Sequence, residues 1–314
     1  MSWLLRRLLA SLMLVAAVTV ATALLVECAP GDARSALAEG MGRSYASTHG
    51  AVRASPWQWF GGLLRGDLGT SKTHGRPVAV LIADRLPRTL LLTITAALLQ
   101  LALGIAAGVL LVRRRGGWLD GAVSAGLFVL DAMPPFWIGI LLILVFAIGL
   151  GLFPVSGTTS YVFTQPGWLA RVADSAWHLV LPATALALGG AATIARFTRG
   201  GLLDALSQPF VRVAAAGGIT RWRLLLRYAL RNALLPLITL IGLSFPGLLG
   251  GAVIVEALFN WQGIGMLAAD AVRERDVPVM LGMSVLFATV VVLGNLVADL
   301  LYAAADPRVR GRAR

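Results

Sequence analysis

Six long apolar windows limit what this chain can become. They are Leu8–Val26, Thr89–Val112, Ala122–Leu152, His178–Ala195, Ala233–Val255 and Val279–Ala304. Each has the roughly 17–25 residues a helix needs to cross a bilayer at about 1.5 Å per residue. Hydrocarbon offers no water to backbone N–H and C=O groups, so only helices and closed barrels span it. Period-two alternation is absent, which argues against the barrel. The expected fold class is therefore an all-α integral membrane protein of about six transmembrane helices. Composition agrees. The 314 residues are 58% hydrophobic and 13% charged, against about a quarter charged in a soluble domain.

The net charge of +12 is better explained by topology than by nucleic acid. If the N-terminus is cytoplasmic, Arg6–Arg7, Arg113–Arg115, seven Arg from Arg196 to Arg231 and four from Arg308 to Arg314 all lie inside. These make 16 of the 27 basic residues. The two short outer loops hold only Arg171, Arg273 and Arg275. The positive-inside rule thus predicts both termini in the cytoplasm. Attraction to anionic headgroups accounts for the surplus, so the lipid bilayer is an expected partner and nucleic acid is not. The expected organisation is a first transmembrane helix over 1–26 and an extracytoplasmic loop or cap over 27–88. A five-helix core over 89–308 follows, with a cytoplasmic loop at 196–236 and a tail at 309–314. Trp57, Trp59 and Phe60 suit a membrane interface. The lone Cys28 excludes an internal disulfide. The 19-residue first window exceeds a signal-peptide core, and Glu27 spoils a lipoprotein cleavage site, so an uncleaved first helix is expected.

Within the windows, Gly104-x-x-x-Gly108 matches a close-packing motif for membrane helices. Asp131 precedes the paired prolines Pro134 and Pro135, which should kink the third helix. An ionisable group at that depth faces a cavity or a partner. It either attracts a cationic substrate group along a pathway or is paired with an Arg or capped by backbone at the break. Glu256 is expected to close the fifth helix on the outer side, where it meets water or a partner protein, and with Asp131, Pro134 and Pro135 it is a candidate to line a substrate pathway. The catalytic inventory is empty. The only lysine, Lys72, follows Ser71 where a phosphate-binding loop needs Gly. His49, His74 and His178 are scattered, with no metal-ligand spacing. No enzyme is expected, no cofactor is expected in this chain, and energy must come from another subunit.

Val211–Pro236 is the segment that points to such a subunit. Small residues (Ala214, Ala215, Ala216, Gly217, Gly218) allow close approach. Arg223, Arg227 and Arg231 recur every four positions, on one helical face. One reading is a docking surface; the other is a basic amphipathic helix lying on headgroups. The segment resembles the coupling loop of permease subunits in binding-protein-dependent ABC importers, in particular the dipeptide/oligopeptide and nickel branch. Arg212, Ala214, Ala216 and Gly218 match that branch, as do Arg231-Asn232-Ala233-Leu234 and Pro236. Val213, Ala215 and Gly217 depart from it. The likeness extends to Gly66–Ser71, Arg85-Leu86-Pro87, Phe153–Gly157, Gly250–Val253 with Glu256, and Asp306-Pro307-Arg308.

The resemblance implies a type I ABC importer fold in a bacterial inner or plasma membrane. It implies a second homologous permease subunit, two ATPase subunits carrying ATP and Mg, and an extracytoplasmic substrate-binding protein. A short helix around Ala214–Trp222 would enter the ATPase. Substrates of such relatives are di- and oligopeptides, with glutathione or nickel complexes as the alternative. An ion-coupled secondary transporter would need inverted halves with matching broken helices, and none is apparent. No filter-like loop suggests a channel.

Overall fold

The computed structural model describes residues 65–160 and 167–305, with 9–10, 13–22, 24 and 62–63. Within the helices, the side chains of 232, 234–236, 238–246, 249 and 297–305 fall outside that description. Cys28, His49, Trp57, Trp59, Phe60, Asp306-Pro307-Arg308 and six residues of the first window also lie outside it. Inside that window, Met13–Thr22 is helical (α1).

The described residues are predominantly helical and include no strand, only an isolated bridge between Thr70 and Pro77. Helix α2 runs Val78–Arg113. It starts eleven residues before the apolar window because an amphipathic lead-in precedes the span. Val78, Leu81 and Ile82 are buried at helical spacing i, i+3, i+4.

The third window is not one kinked helix. It divides into α3, Trp118–Ala132, and α4, Pro135–Leu142, which continues as a π-helical turn, Ile143–Gly149. The two parts are bent by 112°. The two prolines explain the break. A residue before proline is pushed out of the α region, and here that happens twice in succession. Met133 takes φ −90°, ψ 131° and Pro134 takes φ −61°, ψ 144°. Pro135 then occupies the first turn of α4, where its missing N–H costs nothing.

Helix α5, Trp168–Ser207, is 40 residues long and contains Pro182. Helix α6, Pro209–Ala216, follows at once. A single turn Arg221–Arg223 and a π-helical turn Leu224–Ala229 lead into α7, Leu230–Leu258. Helices α8, Ile264–Arg273, and α9, Val277–Ala305, follow. Among the described residues three helices are long and apolar enough to cross a membrane, or four if the bent α3–α4 pair counts as one span.

The chain forms two compact units, one of residues 1–87 with 263–293 and one of residues 88–262 with 294–314. In the first, Val78, Leu81 and Ile82 pack with Ile264, Leu267, Val279 and Met283. In the second, α5 packs against α3, α4 and α7. It also receives the glycine face of α2: a Cβ on Gly104 would stand 2.5 Å from Ile194 Cβ, and one on Gly108 2.6 Å from Thr198 Cβ. The Gly-x-x-x-Gly motif therefore marks a contact between backbones.

Candidate functional site: an exposed helix and its surroundings

Helix α6 is held by one side chain. Val211 is buried at 4%, while Val213 is 72% and Phe210 45% exposed. Arg212, Ala215 and Ala216 are exposed as well, and Ala214 is half-buried. An eight-residue helix that turns valine and phenylalanine outward has not spent its apolar surface inside its own chain.

Its end differs from the expected helix around Ala214–Trp222. The helix stops at Ala216, and Gly218 takes φ +81°. Gly218 N–H donates to Ala215 O at 3.0 Å, and Ile219 N–H to Ala214 O at 3.3 Å. This is a Schellman closure, in which a left-handed residue lets the final carbonyls find donors. Glycine adopts that φ without Cβ strain. Gly217 precedes it at φ −73° and closes on Val213 O at 3.0 Å.

The helix restarts at Arg221. Through the π-helical turn Leu224, Leu225 and Ala229 are buried, while Arg223, Arg227 and Arg231 stay exposed. Asn232 and Pro236 lie within the backbone of α7; their side chains are outside the described residues. Pro236 is thus inside a helix.

Asp131 sits in the last turn of α3 and is paired. Its carboxylate accepts hydrogen bonds from Arg196 Nη2 at 2.7 Å and from Thr193 Oγ1 at 3.1 Å. A second clip, missed in the sequence, joins the same helices. Arg199 Nη2 donates to Asp120 at 2.9 Å and its Nη1 to Ser124 Oγ at 3.4 Å. Asp120 also accepts the Gly116 N–H at 3.0 Å. The available signal was two arginines three apart on α5, with two aspartates bounding α3. Pro134 and Pro135 contribute the break that ends α3 beside Asp131.

Glu256 corrects the expectation that it meets water or a partner protein. It is fully buried and accepts a hydrogen bond from Thr89 Oγ1 at 2.6 Å. Nearby, buried Trp261 donates its Nε1–H to Arg88 O at 3.0 Å. A carboxylate withdrawn from water needs such donors, and Thr89 supplies one.

The sequence reading also missed Asp276, which is 1% exposed. It accepts from Ser71 Oγ at 2.5 Å and from Thr73 N–H at 3.1 Å, and it stands at the N-cap of α9. This aspartate anchors the Gly66–Ser71 loop. Its signal was an Asp one residue ahead of Val277-Pro278, a helix-start pattern. Among the described residues no cluster of three or more His, Cys, Asp or Glu could hold a metal.

The exposed helix α6 thus lies in the chain between the long helices α5 and α7, and two ion pairs join α5 to α3. The profile of the binding-protein-dependent transport system inner membrane component family matches residues 100–311, about two thirds of the chain. The chain belongs to this family. It is a multi-pass ABC-transporter permease, and such permeases are not catalytic themselves.

Relatives agree over most of the length. The oligopeptide transport system permease protein AppB of Bacillus subtilis (strain 168) is 37% identical, over 98% of this chain and 99% of its own. The probable peptide ABC transporter permease protein y4tP of Sinorhizobium fredii (strain NBRC 101917 / NGR234) is 37% identical, over 98% and 99% respectively. The glutathione transport system permease protein GsiC of Escherichia coli (strain K12) is 39% identical, over 81% and 78%. Among solved structures, an inward-facing crystal form of the MetNI methionine ABC transporter superposes with a TM-score of 0.57 at 21% identity, over 72% of this chain and 96% of that one. An amino acid ABC transporter with histidines gives 0.52 at 16%, over 72% and 94%. At those identities the likeness is one of fold.

Proposed function

We propose that this chain is one of two permease subunits of a type I ABC importer for di- or oligopeptides. It has six transmembrane helices and both termini in the cytoplasm. An extracytoplasmic binding protein delivers the substrate, and two ATPase subunits, carrying ATP and Mg, drive its passage. Helix α6 is the docking element. The observation that carries this reading is the outward display of Phe210 and Val213 from a helix held by Val211 alone. Such a knob suits a packed socket in a partner. Arg212 and Arg231, with Ala214, Ala215, Ala216, Gly217 and Gly218 between them, form the coupling surface, and Asn232 and Pro236 continue it into α7. Movement of the ATPase pair would reach α5 and α7 through the two ends of this segment and bias a two-state arrangement of the helices.

Peptide as substrate rests on the peptide and oligopeptide relatives; glutathione, itself a short peptide, is the second choice through the GsiC likeness. Asp131 with Arg196 is proposed to line the pathway beside the Pro134–Pro135 break, since a half-exposed ion pair within an apolar bundle is unsuited to face lipid. Glu256 supports the helices from within.

The test is co-purification of the chain with its ATPase subunits, followed by substrate-stimulated ATP hydrolysis. Val213→Asp should leave the protein in the membrane while abolishing ATPase recovery and stimulation. Full recovery and stimulation with Val213→Asp would overturn the docking assignment.

A further inference from the structure

We propose that a groove beside the coupling segment binds the phosphate of an anionic phospholipid. The proposal goes beyond transport and takes from it only that α2 crosses the membrane. The groove encloses about 510 Å³, within the range of pockets for small ligands. Arg113, Arg221 and Trp222 form its rim. Val112, Leu224 and Leu225, all buried, form its floor with half-buried Leu206.

The rim is built for an anion. The Arg113 guanidinium lies over the Trp222 ring, 5.4 Å from its centroid. A cation–π contact of this kind holds the guanidinium at the rim, where its N–H groups can donate to a phosphate. Among the described residues no carboxylate lines the groove, and neither Arg113 nor Arg221 is in an ion pair. Two cations without a counter-charge call for an anion from outside the chain.

The floor decides which anion. Free phosphate has no use for an apolar base, whereas a phospholipid does. Val112 directly precedes Arg113 at the end of the 36-residue α2, so the apolar base continues along the span into acyl-chain territory. Arg113 ends the helix, and Arg114 and Arg115 follow it, which is headgroup level for a spanning helix. Trp222 is half-exposed there, as interfacial tryptophans are. Basic pockets at this level bind anionic headgroups. An ATPase subunit fits less well: the feature is concave and cationic, while the surface offered for protein docking on α6 is convex and apolar.

The experiment uses the full chain in phosphatidylcholine nanodiscs doped with brominated phosphatidylglycerol or brominated phosphatidylcholine. Quenching of Trp222 is obtained by difference from Trp222→Phe. Brominated phosphatidylglycerol should quench Trp222 far more than the zwitterionic lipid. Arg113→Ala/Arg221→Ala should lower the apparent affinity for phosphatidylglycerol on the order of a hundredfold, through the loss of two charge-assisted hydrogen bonds to the phosphate. Arg114→Ala/Arg115→Ala removes the same charge at the same level, outside the groove, and should keep most of the preference. Equal quenching by the two lipids in the wild type would overturn the proposal without recourse to any variant. So would equal losses in the two double variants. Inorganic phosphate at millimolar concentration should not relieve the quenching; relief would assign a free-anion site and refute the lipid.

Discussion

The Gly104–Gly108 face of α2 allows a prediction with opposite signs at two sets of glycines. A Cβ on Gly104 would stand 2.5 Å from Ile194 Cβ and 2.9 Å from Ala191 O; one on Gly108 would stand 2.6 Å from Thr198 Cβ and 2.8 Å from Ala195 O. Carbon atoms rest at about 3.5–4.0 Å, so each alanine must push the helices apart by roughly 1 Å. A flexible side chain cannot absorb this, because backbone carbonyls of α5 are among the obstacles. Overpacking of this kind costs about 1–3 kcal/mol. The two sites lie one turn apart and demand the same displacement, so the double variant should cost less than the two singles together.

Gly121 and Gly126 on α3 provide the contrast, since nothing lies within 4 Å of a Cβ at either. Alanine there should be neutral or stabilising by up to about 1 kcal/mol, from helix propensity. Thermal unfolding of the full chain in mild detergent reads both sets. Gly108→Ala should lower the midpoint by several degrees, at roughly 2–4 °C per kcal/mol, and Gly126→Ala should not lower it. If Gly104→Ala and Gly108→Ala unfold with or above Gly126→Ala, then α2 and α5 do not meet backbone to backbone, and the packing of the second unit described above is wrong.

Four further outcomes are expected. Asp276→Ala removes an N-cap and the acceptor for Ser71 and Thr73, and should cost about 2–4 kcal/mol in the same unfolding assay. A double-mutant cycle of Glu256→Ala with Thr89→Val should return a coupling of about 1–3 kcal/mol, and a value near zero would show that the bond does not stabilise the helices. Gly218→Val, forced to φ +81°, should be strained by about 1–2 kcal/mol and lose substrate-stimulated ATPase activity, whereas Gly218→Asn should retain most of it. Asp131→Asn should lower uptake of cationic relative to neutral peptides; an unchanged ratio would leave Asp131 only its role in joining α3 to α5.

What the sequence could and could not disclose follows from what hydropathy measures. Apolar windows locate helices because burial from water is common to lipid and protein interior, and α9 matches its window within a few residues. The same measure cannot tell lipid from protein. The shortest window, His178–Ala195, lies in a largely enclosed helix: among the described residues 67% of its apolar stretch is buried, against 28% for α2. Small residues at Ala183, Ala185, Ala187, Ala191, Ala192 and Ala195 are all buried there. They lower hydropathy while permitting the close approach of neighbouring helices. The weaker hydrophobic signal therefore marked the centre of the unit. Polar partners followed a different logic. Asp131 stood out because it interrupted an apolar run, but its partner Arg196 lies 65 residues on, a separation set by how α3 crosses α5. Glu256 ends an apolar run and so reads as meeting water or a partner protein; the helix continues past it to Leu258, and Thr89 meets it inside. A charged residue at the end of a hydrophobic window is thus ambiguous between interface and interior, and the partner on a distant helix decides between them.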